Sequence, residues 1–242
     1  MRYRVIALSE RQHSRAADRF YQRPLQLAWI VRAADGASRS GPWDDVYTTK
    51  PADTVSWFQD APTPSLEMIA QTGLGMGDPI VDIGGGASLL IDRLLDRGHS
   101  AVTVLDIAEP GLAVAQKRLG DHGGRVTWIA QDVTAWHPPQ AAFALWHDRA
   151  VFHFLVEAAD RAAYVRALDG GLRPGGFVIL APFALTGPER CSGLLVRRYS
   201  AAMLQAELGA GYQLLNHQPQ THLTPAGNRQ DFIWCLFRKS AR

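Results

Sequence analysis

Apolar positions along the chain follow two different periods. Short unbroken runs read as buried strands: Pro79–Ile83 (PIVDI), Ala101–Leu105 (AVTVL), Arg125–Ala130 (RVTWIA), Ala142–Trp146 (AFALW) and Phe177–Pro182 (FVILAP). Between them the spacing turns helical. Ser88–Arg97 carries Leu89, Leu90, Leu94 and Leu95, with Gly98 as its stop. Pro110–Leu119 has proline in its first turn and Gly120 behind it. Ala158–Leu172 is a helix ended by Pro174-Gly175-Gly176, and Ser200–Leu208 is one stopped by Gly209. Tyr212–His217 and Asp231–Phe237 read as two last strands, an antiparallel hairpin with a long loop. Strands alternating with helices predict an α/β fold, a doubly wound, mainly parallel sheet with helices on both faces. Ligands of such sheets bind beyond the carboxyl ends of the strands, so candidate chemistry is sought just after each run.

The first 40 residues do not share this pattern. Ser9–Phe20 is polar with scattered alanine, Leu25–Val31 is briefly apolar, and Gly36–Gly41 reads as a linker. They hold eight arginines against three acids, a charge of +5, whereas the whole chain of 242 residues is only +2. Residues 41–242 are therefore at −3. The expected division is an N-terminal extension, 1–40, poorly ordered or loosely packed, and a domain over 41–242. The near-neutral total speaks against a nucleic-acid partner. No apolar run reaches the roughly 18 residues of a membrane span, and no secretory signal is visible, which together predict a cytoplasmic protein. Two cysteines, Cys191 and Cys235, exclude a disulfide framework and a four-thiolate zinc site.

Three strand ends carry the chemistry. After the first strand run comes Asp82-Ile83-Gly84-Gly85-Gly86-Ala87-Ser88, a glycine turn that lets backbone approach a ligand. After the second comes Asp106, 22 residues beyond Gly84, suited to accept both ribose hydroxyls. After the third comes Gln131-Asp132-Val133, where a carboxylate can accept an adenine amine between the apolar Ile107 and Val133. An aspartate at a strand end also serves as a helix cap, and glycine turns are common. Three such sites in order predict a nucleoside. A dinucleotide fingerprint needs a third glycine where Leu89 stands, and Asp82 would lie near a pyrophosphate. Both features fit S-adenosylmethionine, which carries an ammonium, a ribose and an adenine but no phosphate.

With these residues in hand, the run VDIGGGAS, LDIA, QDV, LWHDRAVFHFL and LRPGG resembles the class I S-adenosylmethionine-dependent methyltransferases, from about Trp43 to Arg238. The resemblance implies a seven-stranded sheet with an inverted last strand, a Rossmann-like methyltransferase fold. It implies that Asp82 and Gly84, Gly85 and Gly86 line the methionine moiety. Asp106 would take the ribose hydroxyls, with Ile107 against the adenine, Asp132 at its amine and Val133 beside it. Ser88 departs from the pattern, since many members have a further glycine there. The product would be S-adenosylhomocysteine.

The acceptor is expected beyond the fourth strand, in Trp146-His147-Asp148-Arg149-Ala150-Val151-Phe152-His153-Phe154. His147 is assigned to the methionine end of the cofactor, and Asp148, Arg149 and His153 to the acceptor as catalytic residues. The competing account has Asp148 capping the next helix beside Arg149. No metal site is expected, because no second acidic pair accompanies His147, Asp148 and His153. Trp43–Tyr47 and Val55–Phe58 are read as a lid, with Tyr47 at the methionine carboxylate and Trp57 as a wall. Cys191, next to Arg190, is a candidate for a lowered thiol pKa, Cys235 reads as core, and His99 and His222 read as surface. The acceptor is expected to be a small molecule, a thiol or other soft nucleophile. The alternatives are a protein lysine, an NAD(P)-dependent oxidoreductase, and a non-catalytic adenosylmethionine-binding protein.

Overall fold

The computed structural model describes residues 31–32 and 39–241. The notional extension 1–40 lies almost wholly outside the described residues. Ser9–Phe20 falls there too, as does all of Leu25–Val31 except its last residue; of the linker Gly36–Gly41, Arg39 and Ser40 form a turn and Gly41 begins the first helix.

Eight strands form the main sheet: β1 (Val31–Arg32), β2 (Ile80–Ile83), β3 (Val102–Asp106), β4 (Val126–Ala130), β5 (Phe143–Arg149), β6 (Leu172–Ala181), β9 (Tyr212–Leu223) and β10 (Arg229–Lys239). A separate two-stranded ribbon pairs β7 (Arg190–Cys191) with β8 (Leu194–Leu195). The order across the main sheet is β1-β4-β3-β2-β5-β6-β10-β9. Seven of these strands make the expected sheet, and two residues of β1 add an eighth strand parallel to the edge of β4. All pairings are parallel except those of β10, which runs antiparallel to β6 and β9.

The order reverses between β2 and β5, because β3 and β4 build outward on one side of β2 and β5 and β6 on the other. A crevice for a ligand opens at that point. The helices are α1 (Gly41–Thr49), α2 (Thr63–Gln71), α3 (Leu90–Asp96), α4 (Glu109–Leu119), α5 (Ala158–Gly171) and α6 (Ala201–Leu208). Leu66, Leu90, Leu94 and Leu112 of α2, α3 and α4 pack on one face of the sheet, in a core with Ile80 and Trp128. Tyr164, Leu168, Leu204 and Leu208 of α5 and α6 cover the other face, over Trp146, Val178 and Phe237. The central strand β2 is buried at every position, as expected of a parallel strand covered on both sides.

Three boundaries differ from the pattern reading. β5 continues through Asp148 and Arg149, so these residues belong to the strand and their side chains alternate across it. The run Pro174-Gly175-Gly176 does not end a helix. It lies inside β6, which starts at Leu172 immediately after α5, and Gly175 takes φ +74 there. β9 and β10 are longer than expected and leave only Thr224–Asn228 as the turn. Their outer positions alternate in burial and include Pro219 and several polar residues, so they lack the apolar run of an interior strand.

Candidate active site

A cavity of about 520 Å³ opens at the carboxyl ends of β2, β3, β4 and β5. Tyr47, Trp57, Gly84, Asp106, Ile107, Asp132, Val133 and Arg149 of the sequence-predicted set line it. Asp82, Gly85 and His147 line a smaller adjoining pocket of about 40 Å³, shared with Trp57, Gly84 and Arg149. Gly86, Asp148 and His153 line neither.

The glycine turn shapes the floor. Gly84 has φ +69, and Val151 occupies the space where its Cβ would stand. Gly86 has φ +42, and a Cβ there would run into the Tyr47 hydroxyl and come within 2.9 Å of Asp106 Oδ2. Gly111, in the first turn of α4, leaves room for the other side of the Tyr47 ring, whose Cε2 would lie 2.8 Å from a Cβ. Tyr47 is thus seated between two glycines, with Trp57 edge-on at 6.1 Å. Burial, then the Asp106 carboxylate, pushes its phenol well above the usual tyrosine range.

Asp106 ends β3 and is 6% exposed. Its Oδ1 accepts the Ala108 amide at 2.8 Å. Burial is the main reason its pKa rises to about 7, with the Asp82 carboxylate adding to it and the backbone amides of Ala108 and Gly86 opposing it. Asp132 follows β4, and its Oδ1 accepts from Thr134 N at 2.8 Å and Thr134 Oγ1 at 2.7 Å, capping a 3-10 turn. Ile107 and Val133 flank these two carboxylates. This end of the cavity can accept hydrogen bonds from hydroxyls or amines on a flat ligand held between apolar walls.

His147 and Asp82 are bonded to each other: His147 Nδ1 lies 2.7 Å from Asp82 Oδ1, and Nε2 lies 3.0 Å from Ser65 Oγ. In the neutral ring, Nδ1–H donates to Asp82 and Nε2 accepts from Ser65. Ser65, on α2, carried no sequence signal. His147 therefore orients Asp82 from beneath and has no ring nitrogen free for a ligand.

Asp148 and His153 correct the sequence reading. Asp148 is wholly buried, and its Oδ1 accepts the amides of Val151 at 3.0 Å and Phe152 at 3.3 Å. Its Oδ2 accepts the Tyr164 hydroxyl at 2.7 Å, and that hydroxyl accepts Trp146 Nε1 at 2.8 Å. Burial lifts the carboxyl to about 6 against these hydrogen bonds. Both oxygens hold the turn after β5 and neither points to the cavity, so the capping account fits. His153 is also wholly buried, between the rings of Phe154 and Phe183. Its Nδ1 accepts the Phe183 amide at 3.2 Å, which puts the proton on Nε2. Burial, then Arg149, lowers its pKa to about 3, so it stays neutral and works as a core residue.

Arg149 alone of the three acceptor candidates reaches the cavity. It is followed by Ala150 at φ +70, a left-handed conformation that costs a non-glycine residue about 1–2 kcal/mol and turns the chain sharply at the cavity wall. The rest of that wall is apolar: Trp43, Phe154, Leu155, Leu194 and Leu195. Leu194 and Leu195, on the β7–β8 ribbon, had no sequence signal. Cys191 also lines the cavity, but burial raises its thiol pKa, contrary to the lowered value expected beside Arg190. Cys235 is core, as expected, with its thiol pushed up to about 12 by burial. His99 and His222 are buried, not at the surface. His222 Nε2 contacts the Ser56 carbonyl at 2.9 Å, tying β9 to the segment before α2. Among the described residues no cluster of metal-ligating side chains occurs and no helix is long and apolar enough to cross a membrane.

Residues 80–176 match the methyltransferase domain family. Solved structures share the fold. One is a SAM-dependent methyltransferase from Methanosarcina mazei, with TM-score 0.62 at 15% identity over 72% of this chain and 98% of that one. Another is a structure described by the conversion of a disulfide bond into a thioacetal group during echinomycin biosynthesis, with TM-score 0.66 at 19% identity over 83% and 92%. A third is 1,6-didemethyltoxoflavin-N1-methyltransferase from Burkholderia thailandensis, solved with bound 1,6-didemethyltoxoflavin and S-adenosylhomocysteine, with TM-score 0.61 at 21% identity over 87% and 94%.

Proposed function

We propose that the chain is a class I S-adenosylmethionine-dependent methyltransferase, a reading supported by the methyltransferase-domain match over residues 80–176 and by the shared fold, and that it methylates a small molecule, with a thiol or another soft nucleophile as the acceptor. S-adenosylmethionine supplies a methyl carbon bonded to a positive sulfur. The residues present fit that molecule: a Cβ at any of Gly84, Gly85 or Gly86 would meet a neighbour, and Asp106 turns a buried carboxylate to the cavity. We assign the ribose hydroxyls to Asp106, the adenine amine to Asp132, and the adenine faces to Ile107 and Val133. Gly84, Gly85, Gly86 and Asp82 border the methionine part, with His147 and Ser65 fixing Asp82, and Tyr47 and Trp57 covering it. Residues 41–242 form the domain that does this work.

The acceptor class rests on one observation. Beyond the residues assigned to the cofactor, the cavity is lined by Arg39, Gln131, Arg149, Cys191 and apolar groups, none of them a carboxylate or an imidazole, while Asp148 and His153 are turned away. A nucleophile with a high pKa needs a base beside it. This wall supplies none, which favours an acceptor that already presents a lone pair, such as a thiolate or a ring nitrogen. Two of the neighbours are described with small molecules, a disulfide converted during echinomycin biosynthesis and 1,6-didemethyltoxoflavin. Incubating the protein with methyl-labelled S-adenosylmethionine and a cell extract, then separating protein from small molecules, tests the reading. Label in the small-molecule fraction is expected. Label confined to protein would replace it with the protein lysine alternative.

A further inference from the structure

Arg149 stands where the main cavity meets the smaller pocket, and its charge has no partner. Its Nη1 donates to the Trp57 carbonyl at 2.8 Å. Its Nε and Nη2 are closed off from solvent and bond to nothing. Among the described residues no carboxylate forms an ion pair with it; Asp82, which acts on it at longer range, is already bonded to His147. The guanidinium lies over the Phe232 ring, 5.0 Å from its centre, close to Cys191. Burial pulls its pKa down to about 10, so it remains charged near neutrality. Arg161 shows what a structural arginine in this protein looks like. It pairs with Glu207 at 2.9 Å and donates to the carbonyls of Leu155 and Val156. An unpaired buried charge with two idle donors is costly to the fold, and a ligand that neutralises it recovers that cost.

We propose that Arg149 is an anion receptor, whose Nε–H and Nη2–H edge takes a carboxylate-class anion carried into the cavity by a ligand. The two parallel donors of that edge match a carboxylate in bidentate geometry, after a torsional adjustment that brings them onto the cavity wall. Two molecules can carry the anion: the methyl acceptor, or S-adenosylmethionine through its amino-acid tail. The choice between them rests on the methyltransferase reading, but the receptor itself does not.

The test uses the full chain, as wild type, Arg149→Gln and Arg149→Lys. Calorimetry measures S-adenosylhomocysteine and methylthioadenosine, which lacks the amino-acid tail. Thermal unfolding compares benzoate with benzamide, with and without S-adenosylhomocysteine. If the tail supplies the anion, Arg149→Gln weakens S-adenosylhomocysteine by about tenfold or more, leaves methylthioadenosine unchanged, and Arg149→Lys recovers part of the loss. If the acceptor supplies it, both nucleosides bind Arg149→Gln normally, and benzoate but not benzamide stabilises the wild type and not the variant. Equal weakening of both nucleosides, or unchanged affinity with benzoate no better than benzamide, overturns the proposal. A wild type that binds neither nucleoside defeats the methyltransferase assignment instead, and the benzoate comparison without nucleoside still decides the receptor.

Discussion

Asp106 and Asp148 are both buried carboxylates at the ends of parallel strands, and their surroundings set them apart. Asp106 receives one amide on Oδ1 and turns toward the cavity, whereas Asp148 has both oxygens committed to Val151, Phe152 and Tyr164. Removing the Asp148 carboxylate leaves buried donors unpaired, at about 1–3 kcal/mol each. Asp148→Ala should therefore lower the unfolding temperature, by roughly 2–4 °C per kcal/mol in a chain of this size. Asp148→Asn keeps an acceptor for the amides and should stay near wild type in stability and in S-adenosylhomocysteine affinity. Methyl transfer lost in a stable, cofactor-binding Asp148→Asn would return the residue to catalysis. At this scale the sequence shows which residue types stand at strand ends but not which way they turn. His153 illustrates the limit, because its role depends on Phe183, thirty positions away, whose amide its Nδ1 accepts.

At the scale of elements, α1 and the β7–β8 ribbon roof the cavity. α1 has no fully buried residue and packs against α4, with the partly buried Tyr47 held between Gly86 and Gly111. Trp43 lies edge-on to both Trp57 and Phe154, at 5.7 Å and 4.9 Å, so the roof is joined to the turn after β5. Deleting residues 1–50 removes this aromatic cover and should weaken S-adenosylhomocysteine about tenfold or more in calorimetry, from the loss of one or two buried aromatic faces. Deleting residues 1–38, which spares Arg39 with its 2.8 Å pair to Asp160, should change affinity by less than about twofold. Equal effects would deny α1 a part in binding. The central strands and α3 to α6 were legible because each buries an unbroken or helically spaced apolar set. The ribbon was not, since its four residues bury only Cys191 and leave Leu194 and Leu195 exposed at 37% and 57%. The extension of β5 was missed because His147, Asp148 and Arg149 look like loop residues, yet β2 and β6 on either side supply their backbone partners.

Across the whole molecule, the reversal of strand order beside β2 divides the site. The β3 and β4 ends bring Asp106 and Asp132, both acceptors, and the β5 end brings Arg149 with an apolar wall. That polarity suits a cofactor with hydroxyls and an amine on one side and an acceptor on the other. The glycine turn and the two acids made the first half readable from spacing alone. The second half is assembled from α1, the turn after β5 and the ribbon, which are far apart in sequence. The central claim is that Asp106, as a carboxylate, holds the nucleoside. Because burial raises its pKa to about 7, binding that requires the ionised form must release a proton as the pH drops below that value. Calorimetric titration of S-adenosylhomocysteine from about pH 8.5 to about pH 5.5 measures this directly. The wild type should bind with constant affinity above about pH 7 and lose close to tenfold per unit below it, while Asp106→Asn binds weakly without that slope. A folded Asp106→Asn that binds as tightly as the wild type, with the same pH profile, would contradict the account.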